Sequence, residues 1–181
     1  MWRIVVFLGL MFAGIIESLR LHVPFFNDNG SANPDEPFKL EQPEMSKAVY
    51  GRLGEGDDVA HFSFNAPVGH APALILLIPA PSYTNYGLRA KMRVFGPGLP
   101  VEGITSDLTE QFMKIVGHEY VMVQSYMDSV QVAGDFHVTV ERLAGKGTYC
   151  FCLGTGETRK IPRELFTRVD EIINRDVLAT A

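Results

Sequence analysis

The chain lacks the sequence features that mark most enzymes and nucleic-acid binders. Its 181 residues include only two cysteines and one tryptophan, and its net charge is −5 at pH 7. Lysine and arginine form no cluster, which argues against nucleic acid as a partner. The G-x-S-x-G, G-x-G-x-x-G, P-loop and H-E-x-x-H motifs are absent, and no two histidines have metal-ligand spacing. The sequence therefore predicts a non-catalytic protein with no cofactor and no metal.

No apolar run is long enough to span a membrane, but the chain begins with a short one. Arg3 precedes residues 4–16, which carry no charge, and Ser18 follows them closely. A basic start, an apolar core of about 7–15 residues and a small residue at the end are typical of a secretory signal peptide, whereas a span needs about 20 apolar residues. We predict a signal peptide at residues 1–18, and hence a secreted protein or one of the secretory-pathway lumen. An uncleaved membrane anchor and a packed N-terminal helix are the alternatives, and only the anchor would bring the protein to a membrane.

Proline and glycine divide the remaining chain into an arm, one folded domain and a tail. Residues 19–44 contain four prolines, which predict a linker or an extended arm whose start either contacts the domain or forms an edge strand. The folded domain is predicted over residues 45–157, which is long enough to bury a core of its own. The tail, residues 158–178, is predicted to be a helix that lies on this domain. Its apolar residues recur at helical spacing: Leu165, Phe166, Val169, Ile172 and Ile173.

Short alternating segments separated by turn residues predict seven to nine β-strands. Residues 59–64 and 88–95 alternate between apolar and polar side chains, as expected for half-buried strands. Residues 73–78 are apolar on both faces, which predicts a central strand covered on both sides. Residues 79–86 are predicted to be a loop, and residues 106–114 a helical turn or a loop. The expected fold is all-β, a jelly-roll-like antiparallel sandwich with one C-terminal helix.

Three motifs of this domain occur in the same order as in a known family. They are Tyr50-Gly51-Arg52-Leu53 followed by an acidic turn and Asp58–Phe64, then Ala133–Val140, and finally Gly147–Leu153. Together they resemble the pre-peptidase C-terminal domain, a family of small secreted β-sandwiches, over about residues 46–156. The sequence departs from the family pattern at Ala60 and at Asp135-Phe136, where the family often has Asp and Thr-Tyr. The resemblance implies a generally non-catalytic module that binds or stabilises.

Two small motifs depend on a secretory location. Cys150 and Cys152 lie two residues apart on one strand, so their Cα atoms are expected to be roughly 6.5–7 Å apart, at or beyond the usual limit for a disulfide. We predict buried free thiols, with a strained or partner-linked disulfide as the alternative. Asn29-Gly30-Ser31 is a glycosylation sequon in a polar stretch, so Asn29 is a candidate glycan acceptor.

Two groups of polar residues are candidates for metal sites. Glu55, Asp57 and Asp58 form an acidic turn that could hold Ca²⁺, but a solvated turn is the simpler interpretation. His61 and His137 fall on the polar faces of two predicted strands, so they are expected to be neighbours on the surface rather than a metal site.

The strongest candidate for recognition is a surface with aromatic and basic side chains close together in the sequence. Aromatic side chains beside polar groups suit binding of a protein or a glycan, whereas an ordinary loop and a solvated strand face are the plain alternative. The candidate residues are Tyr83, Tyr86, Arg89, Lys91 and Arg93. We therefore predict a non-catalytic secreted binding module for a protein or a glycan. The alternatives are a membrane-tethered accessory subunit, and a hydrolase or metal-dependent lectin-like protein.

Overall fold

The computed structural model describes residues 22–54, 56–156 and 161–178, so the predicted signal peptide lies outside the described residues. Two β-sheets pack face to face, and one long helix lies against the larger sheet. The elements are β1 (Val23–Phe26), β2 (Phe38–Lys39), β3 (Lys47–Leu53), β4 (Val59–Ala66), β5 (Leu74–Pro79), α1 (Ala80–Thr84), β6 (Arg89–Phe95), β7 (Gln111–Ile115), β8 (His118–Tyr126), β9 (Gly134–Ala144), β10 (Gly147–Leu153) and α2 (Arg163–Leu178).

The strand order confirms an all-β sandwich with one C-terminal helix. The larger sheet has the order β1-β3-β10-β5-β8-β7, and the smaller has the order β2-β4-β9-β6. β5 lies between β10 and β8 and is buried along its whole length, which confirms the central strand. No described helix is both long and apolar enough to cross a lipid bilayer.

An edge strand at the start of the arm is one of the two alternatives that the sequence offered, whereas β2 and β7 were not expected. The arm forms an edge strand, β1, that pairs in parallel with β3, and a two-residue strand, β2, that pairs in parallel with β4. The sheets are therefore mixed rather than purely antiparallel. The segment predicted to be a helical turn or a loop instead contains β7, which pairs with β8. The described residues thus form ten strands, more than the seven to nine predicted.

The main core fills the space between the two sheets. Every second residue of β4 and β6 is buried there, including Phe62 and Met92, as are Phe136, Val138 and Val140 of β9. Phe62 packs on Phe151 of the facing sheet, with ring centroids 4.6 Å apart. Burial of such rings stabilises the folded state by about 1.5–3 kcal/mol each, which makes this layer the main source of stability.

A second core lies between α2 and the outer face of the larger sheet, which we call the covered face. Val169 and Ile173 of α2 are 5% and 2% exposed, and they pack in a cluster that contains Tyr50 and Cys150. The apolar stripe of the tail therefore faces the sheet, as its helical spacing predicts. Strands β5 and β10 are apolar on both faces, so the helix supplies the second cover that they need.

One buried carboxylate attaches α2 to the covered face. Asp176 is 1% exposed and accepts hydrogen bonds from Arg52 Nη1 at 2.6 Å, from the Thr148 backbone N–H at 2.9 Å and from the Ser82 hydroxyl. Burial alone would raise the pKa of Asp176, but these hydrogen bonds lower it below its usual value. Asp176 is therefore an anion paired with Arg52, and it ties the helix to β3, α1 and β10.

Candidate functional site

A groove of about 350 Å³ opens beside α2, where the helix passes the ends of β1 and β3. Its walls carry charges of both signs from three parts of the chain. The charged lining residues are Asp28, Arg52, Asp57, Arg168, Glu171 and Arg175. Such a polar, two-signed lining can contact hydroxyls, amides and charged side chains of a ligand.

One lining residue of the groove, Gly51, packs on its inner side against Tyr149 of the main core. Gly51 lies opposite Tyr149 in the β3–β10 pair, and a Cβ atom at Gly51 would come within 2.3 Å of the Tyr149 hydroxyl oxygen. Asn27 Nδ2 donates a hydrogen bond to the same hydroxyl at 3.2 Å. Burial raises the pKa of Tyr149, so the hydroxyl is neutral. The glycine and tyrosine of two sequence motifs are therefore one packing unit, and they fix where Asn27 lies.

The helical wall of the groove is held in place by Arg168. Its guanidinium lies 4.0 Å from the centre of the Phe26 ring and forms an ion pair with Asp28. Both partners of this ion pair are largely exposed, so their attraction contributes little stability and chiefly orients the side chains. Arg168 and Arg175 appear in the sequence only as ordinary helix-surface residues, and nothing in the pattern indicates that they face the end of β1.

The aromatic part of the predicted binding surface is not open to solvent. Tyr83 is 6% exposed because α1 turns its ring into the main core. Arg89 packs on that ring, with Cζ 3.5 Å from its centre, and donates hydrogen bonds to the Tyr83 and Leu88 carbonyls. Tyr86 is half-buried, and its hydroxyl has no hydrogen-bond partner among the described residues. The expectation of an exposed Tyr83 in a loop is therefore corrected.

The basic part of that predicted surface lies on the outer face of the smaller sheet, which we call the open face because no described helix packs on it. Lys91 Nζ lies 2.9 Å from a carboxylate oxygen of Glu141, and Arg93 Nε lies 3.7 Å from the other. Burial would raise the pKa of Glu141, but hydrogen bonds from Lys91 and Thr139 and the charges of Lys91 and Arg93 lower it. Lys91 and Arg93 stay candidate contact residues, separate from Tyr83 and Arg89.

The structure brings together two histidines that are 76 residues apart in the sequence. His61 of β4 and His137 of β9 lie on the open face, with His61 Nδ1 and His137 Nε2 2.9 Å apart. Burial lowers the pKa of both rings, and the neighbouring His61 lowers that of His137 further. The two histidines are therefore neighbours, as expected, and the structure adds that their ring nitrogens are within hydrogen-bond distance.

The two cysteines lie under α2 as separate thiols. Cys150 and Cys152 are each 1% exposed, and their sulfur atoms are 3.7 Å apart, well beyond the S–S bond length of about 2.05 Å. The hydrogen bond with Cys150, together with burial, raises the pKa of Cys152. The Tyr50 and Tyr120 hydroxyls share a hydrogen bond of 3.0 Å in the same cluster. The raised pKa keeps the Cys152 thiol protonated, and burial shields both sulfur atoms from solvent, which makes them poor nucleophiles.

The remaining sequence candidates lie at the surface. Asp58 forms two hydrogen bonds with the Arg142 guanidinium, at 2.6 and 2.9 Å, while Asp57 lines the groove and Glu55 lies outside the described residues. In the described part of the chain, no group of three or more His, Cys, Asp or Glu side chains is arranged to hold a metal ion. Asn29 is exposed in a turn.

Comparison with known proteins yields structural similarity only. No protein-family profile and no curated protein matches the sequence. The pre-peptidase C-terminal domain of collagenase from Bacillus anthracis matches with 15% identity and a TM-score of 0.43, over 67% of this chain and 97% of that domain. PliG from Aeromonas hydrophila, a periplasmic inhibitor of g-type lysozyme, matches with 10% identity and a TM-score of 0.39, over 65% and 95% of the two chains. The first is a domain of the family that the sequence motifs resemble.

Proposed function

We propose that this chain is a secreted, non-catalytic binding module that recognises a protein or a glycan through the groove beside α2. The observation that carries the proposal is the lining of this groove, which combines arginines and carboxylates around Asn27, whose side-chain amide is held by the buried Tyr149 hydroxyl. Arg168 is already oriented by Phe26 and Asp28, so little side-chain entropy is lost when a ligand contacts it. Arg175 and Glu171 are exposed on the same helix and extend the polar lining.

Binding is tested with three forms of the chain used in parallel as bait. These are the wild type, the double variant R168A/R175A and the control Lys114→Ala, which removes an exposed lysine from β7 on the opposite edge of the larger sheet. Each is applied to a glycan array and used to capture proteins from the fluid of the native compartment. We expect a ligand that binds the wild type and the control but binds the double variant at least about tenfold more weakly.

The result decides between the candidate functions. A ligand that binds all three forms equally would contradict the groove as the site of recognition. Sequencing the N-terminus of the mature chain tests the secreted state, and a chain that still begins at Met1 would favour the membrane-tethered accessory subunit. A protein ligand and a glycan ligand are distinguished directly, because one is captured from the fluid and the other on the array.

A further inference from the structure

The His61–His137 pair is held by the most regular part of the smaller sheet. β4 and β9 pair without a register shift from Val59↔Glu141 to Ala66↔Gly134. In this register His61 lies opposite Thr139 and His137 lies opposite Ser63, so the two histidines are diagonal neighbours on one face. Their separation is therefore set by the sheet backbone rather than by a flexible loop.

The distance between the two ring nitrogens matches a pair of adjacent ligands on one cation. His61 Nδ1 and His137 Nε2 are 2.9 Å apart. Two imidazole nitrogens that each lie about 2.0–2.1 Å from one metal, at a right angle, are themselves roughly 2.9 Å apart, whereas a tetrahedral angle requires about 3.4 Å. A right angle between ligands is the geometry of square-planar and tetragonal sites, which Cu²⁺ and Ni²⁺ prefer.

We propose that His61 and His137 form a binding site for a late first-row divalent cation, Cu²⁺ in preference to Zn²⁺, on the open face. A modest rotation of the two rings points both lone pairs at a common external position. The ring that donates the hydrogen bond moves its proton to its distal nitrogen, so the neutral pair takes up the metal without net proton release. Water or groups from a bound partner complete the coordination sphere.

The surroundings of the pair favour the unprotonated rings that a metal requires. The 2.9 Å contact places a lone pair of one ring against the N–H of the other, so at least one of the two rings is unprotonated. Thr139, directly opposite His61, donates a hydrogen bond to Glu141, whose negative charge attracts a cation. The positive charges of Lys91 and Arg93 repel a cation, and the negative charge of Glu141 offsets part of this repulsion. We therefore expect a site that depends on both imidazoles rather than on the net charge of the face.

This site is independent of the proposed groove, which lies beside α2 on the other sheet. An experiment that contradicts one proposal therefore does not contradict the other. The site would give the open face a means of contacting a second molecule, because two protein ligands leave coordination positions free.

The experiment titrates the folded chain with Cu²⁺ alone and follows binding by calorimetry and electron paramagnetic resonance. The wild type is expected to bind one Cu²⁺ at this site, with hyperfine splitting from two imidazole nitrogens, and to bind Zn²⁺ more weakly. His61→Ala and His137→Asn are each expected to weaken Cu²⁺ binding by at least about tenfold, because a lost ligand costs no less than a lost supporting hydrogen bond. Circular dichroism checks that both variants remain folded.

The matched control is His118→Ala, which removes an imidazole that contacts Asp170 near α2, away from the open face. It is expected to leave Cu²⁺ binding and its spectrum unchanged. Cu²⁺ should also raise the melting temperature of the wild type and the control but not of His61→Ala, since the metal binds the paired rings only in the folded sheet. Equal binding by wild type and both histidine variants, or loss of binding only in His118→Ala, would overturn the proposal.

Discussion

The two outer faces of this sandwich are built from strands of similar length but have opposite properties. On the covered face, Asp176 of α2 and the two thiols beneath the helix have at most 1% of their surface exposed. On the open face, the histidine pair and the Lys91–Glu141 ion pair are only half-buried. The difference follows from residue type, because β5 and β10 are apolar on both sides and require two covers, whereas β4 and β6 alternate and require one.

Burial determines what each face can contribute. A charge on the covered face has lost its hydration, so it is tolerated only with every hydrogen bond in place, and removing a partner is costly. A polar group on the open face exchanges readily between its neighbour and water, so its loss costs little and it stays available to a ligand. Of the two outer faces, we therefore expect the covered face to contribute more stability, and we expect ligand chemistry on the open face and in the groove.

The largest effect is expected from Asp176→Ala, which tests the covered face directly. The substitution removes the carboxylate that accepts hydrogen bonds from the Arg52 guanidinium and from the Thr148 N–H. Breaking a buried ion pair on one side lowers the free energy of unfolding by about 3–5 kcal/mol. Urea denaturation followed by circular dichroism measures the change.

The matched control for this variant is Asp170→Ala, six positions before Asp176 on the same helix. The Asp170 side chain is 57% exposed and contacts His118, so its removal should change the free energy of unfolding by no more than about 1 kcal/mol. Equal losses in the two variants would show that the covered face does not differ from the exposed helix surface in the way that we describe.

Much of this contrast could be predicted from the sequence, because it depends on local alternation. The alternating strands, the doubly apolar strand at residues 73–78 and the apolar stripe of the tail are all present in the structure. β7 was not predicted, since Phe112 is 61% exposed and its flanking residues give no clear alternation. The parallel pairing of β1 and β2 was not predicted either, because proline-rich sequence indicates an extended chain but not its neighbour.

The candidate sites were harder to predict because they depend on long-range register. The histidine pair requires β4 and β9 to align across 76 residues, and a shift by one residue would move one ring to the other face. The groove likewise requires α2 to pass the end of β1. Tyr83 was predicted to be exposed, since polar loops usually are, but a single helical turn after β5 buries it.

A second test of the contrast uses pH, through His22 at the margin of the covered face. His22 is 5% exposed, its Nδ1 lies 2.9 Å from the Lys47 carbonyl oxygen, and His118 and Asp170 line the same small cavity. Burial lowers the pKa of His22 from 6.5 to about 4, although the hydrogen bond to Lys47 opposes this. Below pH 6.5, His22 of the unfolded chain takes up a proton before His22 of the folded chain does. The free energy of unfolding therefore falls as the pH is lowered, until the folded histidine also titrates near pH 4. The loss between pH 6.5 and 4 is about 3 kcal/mol.

This pH dependence is measured by urea denaturation at intervals from pH 7 to pH 4, with His22→Gln as the variant that cannot titrate. We expect the free energy of unfolding of His22→Gln to fall by about 3 kcal/mol less than that of the wild type over this range. The double variant H61N/H137N serves as the comparison on the open face. In the wild type, burial lowers the pKa of His61 and His137 as it does for His22, but these two rings are less buried. The double variant should therefore flatten the curve less than His22→Gln does. The reverse order would contradict the contrast between the faces.

The smallest effect is expected from Glu141→Gln on the open face, although Glu141 forms ion pairs with both Lys91 and Arg93. The substitution removes the negative charge that faces Lys91 and Arg93 but keeps an oxygen that can accept the Thr139 hydrogen bond. Lys91 and Arg93 then regain hydration, which compensates for the lost attraction. We expect the free energy of unfolding to change by no more than about 1 kcal/mol, and by less still at high salt, because ions screen half-exposed pairs. A loss as large as that of Asp176→Ala would mean that the open face is as thoroughly desolvated as the covered one, and the distinction between a face for stability and a face for ligands would then fail.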